Sequence, residues 1–200
     1  MTLPEHAACS IMIAQFGVRQ HYGTRGVLAV LAAGLMPDLD VVSKLFGDQH
    51  YWYYHHAVGH CLLSILFLAA LCSFVGSRKL GAGGFLFLFG FCLASAAAHV
   101  VTDMLYWFAV KPLWPFSNYK VAWSIIEYCD TIVLAIWLVG AICLYKYPNS
   151  CRKIAFITLT TFTAYVALRA MLPKPTGIFH LITGGWMYAP PKNSGVLDWW

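Results

Sequence analysis

The sequence predicts an all-α fold, a polytopic transmembrane helical bundle, and three observations carry that expectation. Hydrophobic residues make up 60% of the 200-residue chain. Charged residues supply 10%, less than half of the roughly one quarter that covers a soluble domain. The mean hydropathy is +0.67, and the stretches 61–76, 80–98, 131–145 and 154–168 hold almost no charge. A soluble core of this size would need a polar shell that the composition lacks, so lipid is the solvent.

Roughly 20 apolar residues, at 1.5 Å rise each, cross a bilayer core. The segments 57–76, 81–109, 121–146 and 153–172 meet that length and give about four full spans. Two shorter stretches, 4–17 and 25–37, reach only about 20 Å each and are expected to be tilted, partly inserted or re-entrant helices. The embedded domain then covers 1–172, and 173–200 is an interfacial tail closing on Asp198-Trp199-Trp200. The opening MTLPEHAACSIMIAQF lacks the basic region of a secretory signal and carries Glu5 and His6, so it reads as part of the mature fold. No linker or repeat divides the chain.

The net charge is +5, but the basic residues are dispersed among loops, which suits membrane lipids as partners rather than nucleic acid. An alternating path places Arg19, Arg25, Arg78, Lys79, Lys146, Arg152 and Lys153 on one side, the cytoplasmic one by the positive-inside rule. Lys44, Lys111, Lys120, Lys174 and Lys192 fall on the other. The seven cysteines form no CxxC pair and lie mostly in apolar runs, so neither a disulfide framework nor a thiolate metal site is expected.

The same path gathers the ionisable residues of interest at the non-cytoplasmic helix ends. His6 starts the first segment, and Met36-Pro37-Asp38-Leu39-Asp40 ends the second, where proline should break the helix and leave two carboxylates on a rigid turn. His55, His56 and His60 open the third behind an aromatic belt of Tyr51, Trp52, Tyr53 and Tyr54. His56 and His60 are spaced i, i+4 and would share a helix face, while His55 could join from the preceding turn. His99 and Asp103, again i, i+4, sit in a strongly apolar helix, where an ionisable pair is costly and marks function by default. Glu127 is placed in the first turns of the fifth segment, as a ligand or as the base that activates a bound water, with Asp130 one turn later as a partner for a neighbour. Imidazoles and carboxylates without thiolates suit a divalent metal, Zn²⁺, Mn²⁺ or Fe²⁺, as one ion or two.

These motifs, in this order and spacing, resemble the LexA-regulated, membrane-bound metal-dependent hydrolases, the YdjM-like family. The resemblance rests on His6, on Met36-Pro37-Asp38-Leu39-Asp40, on His55 and His60 of HHAVGHC, on His99 and Asp103 of AHVVTD, on Leu113-Trp114-Pro115-Phe116 and on Glu127. It covers roughly residues 5–130. It implies a bacterial inner-membrane hydrolase with Asp38, Asp40, His55, His60, His99 and Asp103 as metal ligands. His6 and Glu127 would be further ligands or proton carriers. The family's Arg, Gly, Thr and Ser in the second motif are His56, Ala57, Gly59 and Cys61 here, which removes natural phosphate contacts. The resemblance selects His55 as the ligand, whereas helical spacing selects His56. At headgroup depth the expected substrate is a phosphoester or other ester of a lipid, hydrolysed by a metal-activated water. The competing expectations are a metal-binding or transport protein without catalysis and a structural protein whose His and Asp groups satisfy one another.

Overall fold

A computed structural model describes residues 2–47, 50–51, 54–78, 81–106 and 109–172, and the expected 173–200 tail lies outside them. Within them the chain is helical: α1 (Leu3–Ala14), α2 (Val18–Leu35), a 3-10 helix (Met36–Phe46), α3 (Leu62–Ser77), α4 (Gly81–Met104), α5 (Thr131–Lys146) and α6 (Cys151–Met171). One isolated antiparallel bridge joins Val110 and Val121. The all-α bundle that the sequence predicts is the fold observed.

Two groups of helices share α1. In one, α2, α3 and α4 pack together over small side chains, Ala29, Ala33, Ala69, Cys72 and Cys92, which let their backbones approach closely. In the other, α5 pairs with α6, and both rest on α1 through Met12, Val133, Trp137 and Phe162. The outward faces carry Phe67 and Phe74 on α3, Leu138 and Ile142 on α5, and Phe156 and Ile157 on α6, all exposed. A water-soluble protein rarely exposes so much contiguous apolar surface, whereas a bilayer requires it. The seven cysteines are free thiols.

The helices are distributed differently from the sequence expectation. Among the described residues, three runs are long and apolar enough to cross a membrane: Val18–Phe46, Gly83–Met104 and Pro148–Met171. The second N-terminal stretch is therefore a long element rather than a short one. It begins at Val18, after Gly17 turns the chain at φ 139°, is kinked at Gly23 (φ 57°, ψ −149°), and at Pro37 passes into 3-10 geometry as far as Phe46 instead of breaking. By contrast α3 and α5, each of 16 residues, are short of a full crossing at about 24 Å.

Three expected helix ends move, each for a local reason. The expected start at 57 moves to Leu62, because His56 adopts φ 61° and turns close from Ala57 and Val58 N–H to the Tyr54 carbonyl. The expected end at 109 moves to Met104, where Trp123 N–H bonds to the Met104 carbonyl and Ile125 and Ile126 N–H bond to that of Leu105. The expected start at 121 moves to Thr131: Asp130 caps α5, its Oδ1 accepting from Ile132 and Val133 N–H at 2.9 and 3.2 Å. Residues 109–130 instead form a cap, tied to the 54–62 stretch where Lys111 N–H bonds to the His56 carbonyl and Leu62 N–H to that of Pro112.

Candidate metal centre

Four of the expected ligands meet where α2, α3 and α4 converge. Asp38 comes from the first 3-10 turn, His60 from the turn before α3, and His99 and Asp103 from the last turns of α4. One ligand atom from each lies within 4.8 Å of the others. His60 Nε2 is 3.1 Å from His99 Nε2, and both are 3.2 Å from Asp103 Oδ2. Asp38 Oδ1 is 3.4 Å from His99 Nε2 and 3.7 Å from His60 Nε2. A tetrahedral ion with bonds of about 2.0–2.1 Å holds its ligand atoms about 3.3 Å apart. Five of the six separations between these atoms, 3.1–3.7 Å, are therefore close to those around a divalent cation.

The outer contacts fix which atoms face inward. His60 Nδ1 is 3.1 Å from Asp40 Oδ2, and His99 Nδ1 is 2.7 Å from the Gly34 carbonyl oxygen. Both partners only accept, so each Nδ1 donates, and each Nε2 is the atom whose lone pair a bound cation would take in place of a proton. The Gly34 carbonyl is free because it belongs to the last turn of α2, where helical carbonyls lose their partners. A Cβ at Gly34 would meet the hydroxyls of Ser10 and Ser95, so glycine is what lets α2 lie this close to α1 and α4.

Asp40 and His55, both expected as ligands, sit one layer out. Asp40 Oδ1 accepts from His55 Nδ1 at 2.7 Å, and its Oδ2 accepts from His56 N–H at 3.1 Å as well as from His60. One carboxylate thus ties the HHAVGH turn together and orients His60. His56 and His60 do not share a helix face, because the turn around them is not helical. The His56 ring lies against those of His55 and His60, at centroid distances of 3.9 and 4.8 Å. Burial, then the neighbouring His60 and His55, hold His56 well below its ordinary pKa. His60, outside the spanning helices, is pushed down by burial but raised more by Asp103 and Asp40, to about 9. Gly59 lets this turn approach the 3-10 helix, since a Cβ there would fall on the Pro37 carbonyl.

His6 closes the far side. Its Nε2 is 3.2 Å from Asp103 Oδ1, and its ring stacks on His99 at 3.6 Å between centroids. Glu127 lies half-buried in the 109–130 cap rather than on a helix and makes no ion pair with the four-residue group. Asp130 pairs with a neighbour, as expected: Tyr165 donates to its Oδ2 at 2.6 Å, joining α5 to α6.

Among the described residues the group is most open at Asp38. The side chains of His60, His99 and Asp103 are at most 2% exposed, that of Asp38 25%. Beside Asp38 lies a cleft of about 340 Å³ lined by Thr2, Leu3, Val41, Tyr51, His55, His56 and Tyr128. Sequence reasoning missed Gly34, whose contribution is a backbone carbonyl with no side-chain signature. It also missed the wall from Thr2, Leu3 and Tyr128, which only the packing of α1 against the cap creates.

Comparison with known proteins adds three findings. The family model described as YdjM inner membrane protein matches residues 1–175. The uncharacterized protein YfhP of Bacillus subtilis (strain 168) is 26% identical over 121 residues, 57% of this chain and 37% of that relative, so the chain spans well under half of its length. No solved structure matches.

Proposed function

The chain belongs to the YdjM inner membrane protein family, and we propose that it is a metal-dependent hydrolase acting on an ester of a membrane lipid, with phosphoesters the first candidates. The observation that carries this reading is the convergence of four acceptor atoms beside a cleft that reaches one of them, Asp38. A divalent ion held there would supply Lewis acidity and lower the pKa of a water that the cleft admits. Zn²⁺, Mn²⁺ and Fe²⁺ all suit the mixed imidazole and carboxylate set.

The chain's own residues have distinct parts in this scheme. Asp38, His60, His99 and Asp103 hold the ion. Asp40 and the Gly34 carbonyl set the imidazole tautomers. His6 positions Asp103 by binding the oxygen turned away from the centre. Glu127 stands one residue before Tyr128 of the cleft wall and is the proposed proton carrier. The site faces the non-cytoplasmic side in this proposal, because Arg19, Arg25, Arg78, Lys146, Arg152 and Lys153 lie at the opposite helix ends.

A transport role would require a polar path beneath the centre. The serines found there are satisfied locally, Ser95 Oγ donating to Ser10 Oγ and Ser10 Oγ to the His6 carbonyl. Gln15, the next polar side chain of α1, donates its Nε2 to the Ile11 carbonyl while its Oε1 has no partner among the described residues. No continuous polar chain therefore runs from the centre through these groups. The test is metal analysis of the full chain purified in detergent, paired with a screen of lipid phosphoesters. The reading expects bound metal in the native protein and its loss, with turnover, in a His99→Ala, Asp103→Ala double variant. Full metal content in that variant would sink it.

A further inference from the structure

The Met36–Phe46 helix is unusual, since 3-10 runs beyond three or four residues are uncommon. Its geometry has a consequence that an α-helix would not share: residues three apart eclipse and form straight rows. Pro37, Asp40 and Ser43 make one row, turned inward, with Pro37 buried and the Asp40 side chain 4% exposed. Leu39, Val42 and Leu45 make a second, exposed by 55%, 52% and 83%. Asp38, Val41 and Lys44 make the third. Asp38 belongs to the metal centre, Val41 lines the cleft, and the Lys44 ammonium lies 5.7 Å from the centroid of the Tyr51 ring, which lines it too.

The helix continues α2 beyond the kink at Gly23, and the chain then runs on from Lys44 to Tyr51 and Tyr54. A lysine and tyrosines beside exposed Leu and Val side chains suit the boundary between acyl chains and headgroups, and the 3-10 segment is placed there. There the Leu39–Val42–Leu45 row has lipid as its natural neighbour. The adjoining row runs from a metal ligand, across an apolar wall, to a cation roughly 12 Å away, at about 2.0 Å per residue. Lys44 is the one basic residue in MPDLDVVSKLF.

We infer that this helix is a rail along which an anionic phospholipid enters the cleft sideways from the bilayer, its acyl chains against the Leu39–Val42–Leu45 row and its phosphate received by Lys44. The inference deepens the proposed function by naming the substrate class, and what then happens to the lipid rests on that reading. Docking of the lipid does not.

The experiment places a benzoylphenylalanine photocrosslinker at Leu45, and separately at the outward-facing Leu138 of α5, in the full chain. Each protein is reconstituted in phosphatidylcholine vesicles with and without phosphatidylglycerol, and adducts are identified by mass. Lipid adducts are expected from both positions. Those from Leu45 should favour phosphatidylglycerol about fivefold over its share of the bilayer, the effect of one cation at an anionic surface, and Lys44→Gln should abolish that preference. The inference is overturned if Leu45 gives no lipid adduct while Leu138 does. It is equally overturned if the preference survives Lys44→Gln, or if excess inorganic phosphate erases it, which would point to a soluble anion. Metal content and lipid breakdown are measured on the same samples. Retained crosslinking without breakdown would count against the hydrolase and leave the rail standing.

Discussion

Asp40→Asn is the most informative single substitution, because it removes charge and one acceptor while keeping shape. The native carboxylate accepts from three donors: His55 Nδ1 on one oxygen, His56 N–H and His60 Nδ1 on the other. An amide offers a single acceptor oxygen and an NH₂ that donates. If the oxygen faces His55, the NH₂ opposes both His60 Nδ1–H and His56 N–H. His60 then escapes the clash by moving its proton to Nε2, the atom needed for the metal. If the oxygen faces His60, the NH₂ opposes His55, and the turn that carries His60 loosens. Loss of a partner that orients a metal-binding histidine typically weakens affinity by about 10–100-fold, or roughly 1.4–2.7 kcal/mol. The assay is competition of the detergent-solubilised full chain against a calibrated chelator, with Asp38→Asn as the comparison that removes a proposed ligand. Asp40→Asn should lose affinity by that factor and Asp38→Asn by more, both with helical circular dichroism intact. Wild-type affinity in Asp40→Asn would refute the role given to Asp40 and to the His60 tautomer.

Gly59→Ala places a methyl group on the Pro37 carbonyl, so His60 and Asp38 must separate. The expected result is a fall in metal content together with about 1–3 kcal/mol of destabilisation, the usual range for overpacking, read by thermal unfolding with and without metal. Asp130→Ala removes the α5 cap and strands the Tyr165 hydroxyl, away from the centre. It should cost about 1–3 kcal/mol of stability and leave metal stoichiometry unchanged, so loss of metal there would mean that the two halves of the bundle are coupled. Elemental analysis of the native chain should give one ion, since a single group of four ligands assembles among the described residues.

How far the sequence announced this architecture depends on the kind of signal involved. Composition and apolar run length reveal the membrane bundle, because a bilayer constrains every outward residue at once. The His and Asp positions on α4 are equally plain, since i, i+4 spacing is preserved inside a regular helix. The signals fail where tertiary contacts replace helical ones. Residues 57–61 are apolar enough for a helix, but Asp40 takes the His56 N–H and the chain turns instead. Residues 121–130 read as the start of a span, yet their backbone groups bond to the end of α4. Pro37 gives a correct warning of irregularity with the wrong outcome, a 3-10 continuation in place of a break. The division of the expected ligands into an inner four and an outer pair is also invisible in spacing. It depends on which oxygen of Asp40 meets which imidazole.

The reading that competes most directly with a metal centre is a purely structural one, in which His and Asp groups satisfy each other. Its difficulty is geometric. With both Nδ1 atoms donating outward, His60 Nε2, His99 Nε2, Asp103 Oδ2 and Asp38 Oδ1 face one another within 4.8 Å, five of their six separations being 3.1–3.7 Å. A proton on His60 Nε2, which its raised pKa favours, serves one neighbour and leaves two acceptors opposed, one of them Asp38 partly open to the cleft; each buried acceptor left uncompensated costs about 1–3 kcal/mol. Two protons, one on each imidazole, would set two N–H groups head to head at the His60–His99 contact. A divalent cation satisfies all four acceptors at once and offsets the two carboxylate charges. The structural reading therefore requires the native chain to be no less stable in chelator than in metal, whereas the metal centre requires its unfolding temperature to fall when the ion is stripped and to recover when it is returned.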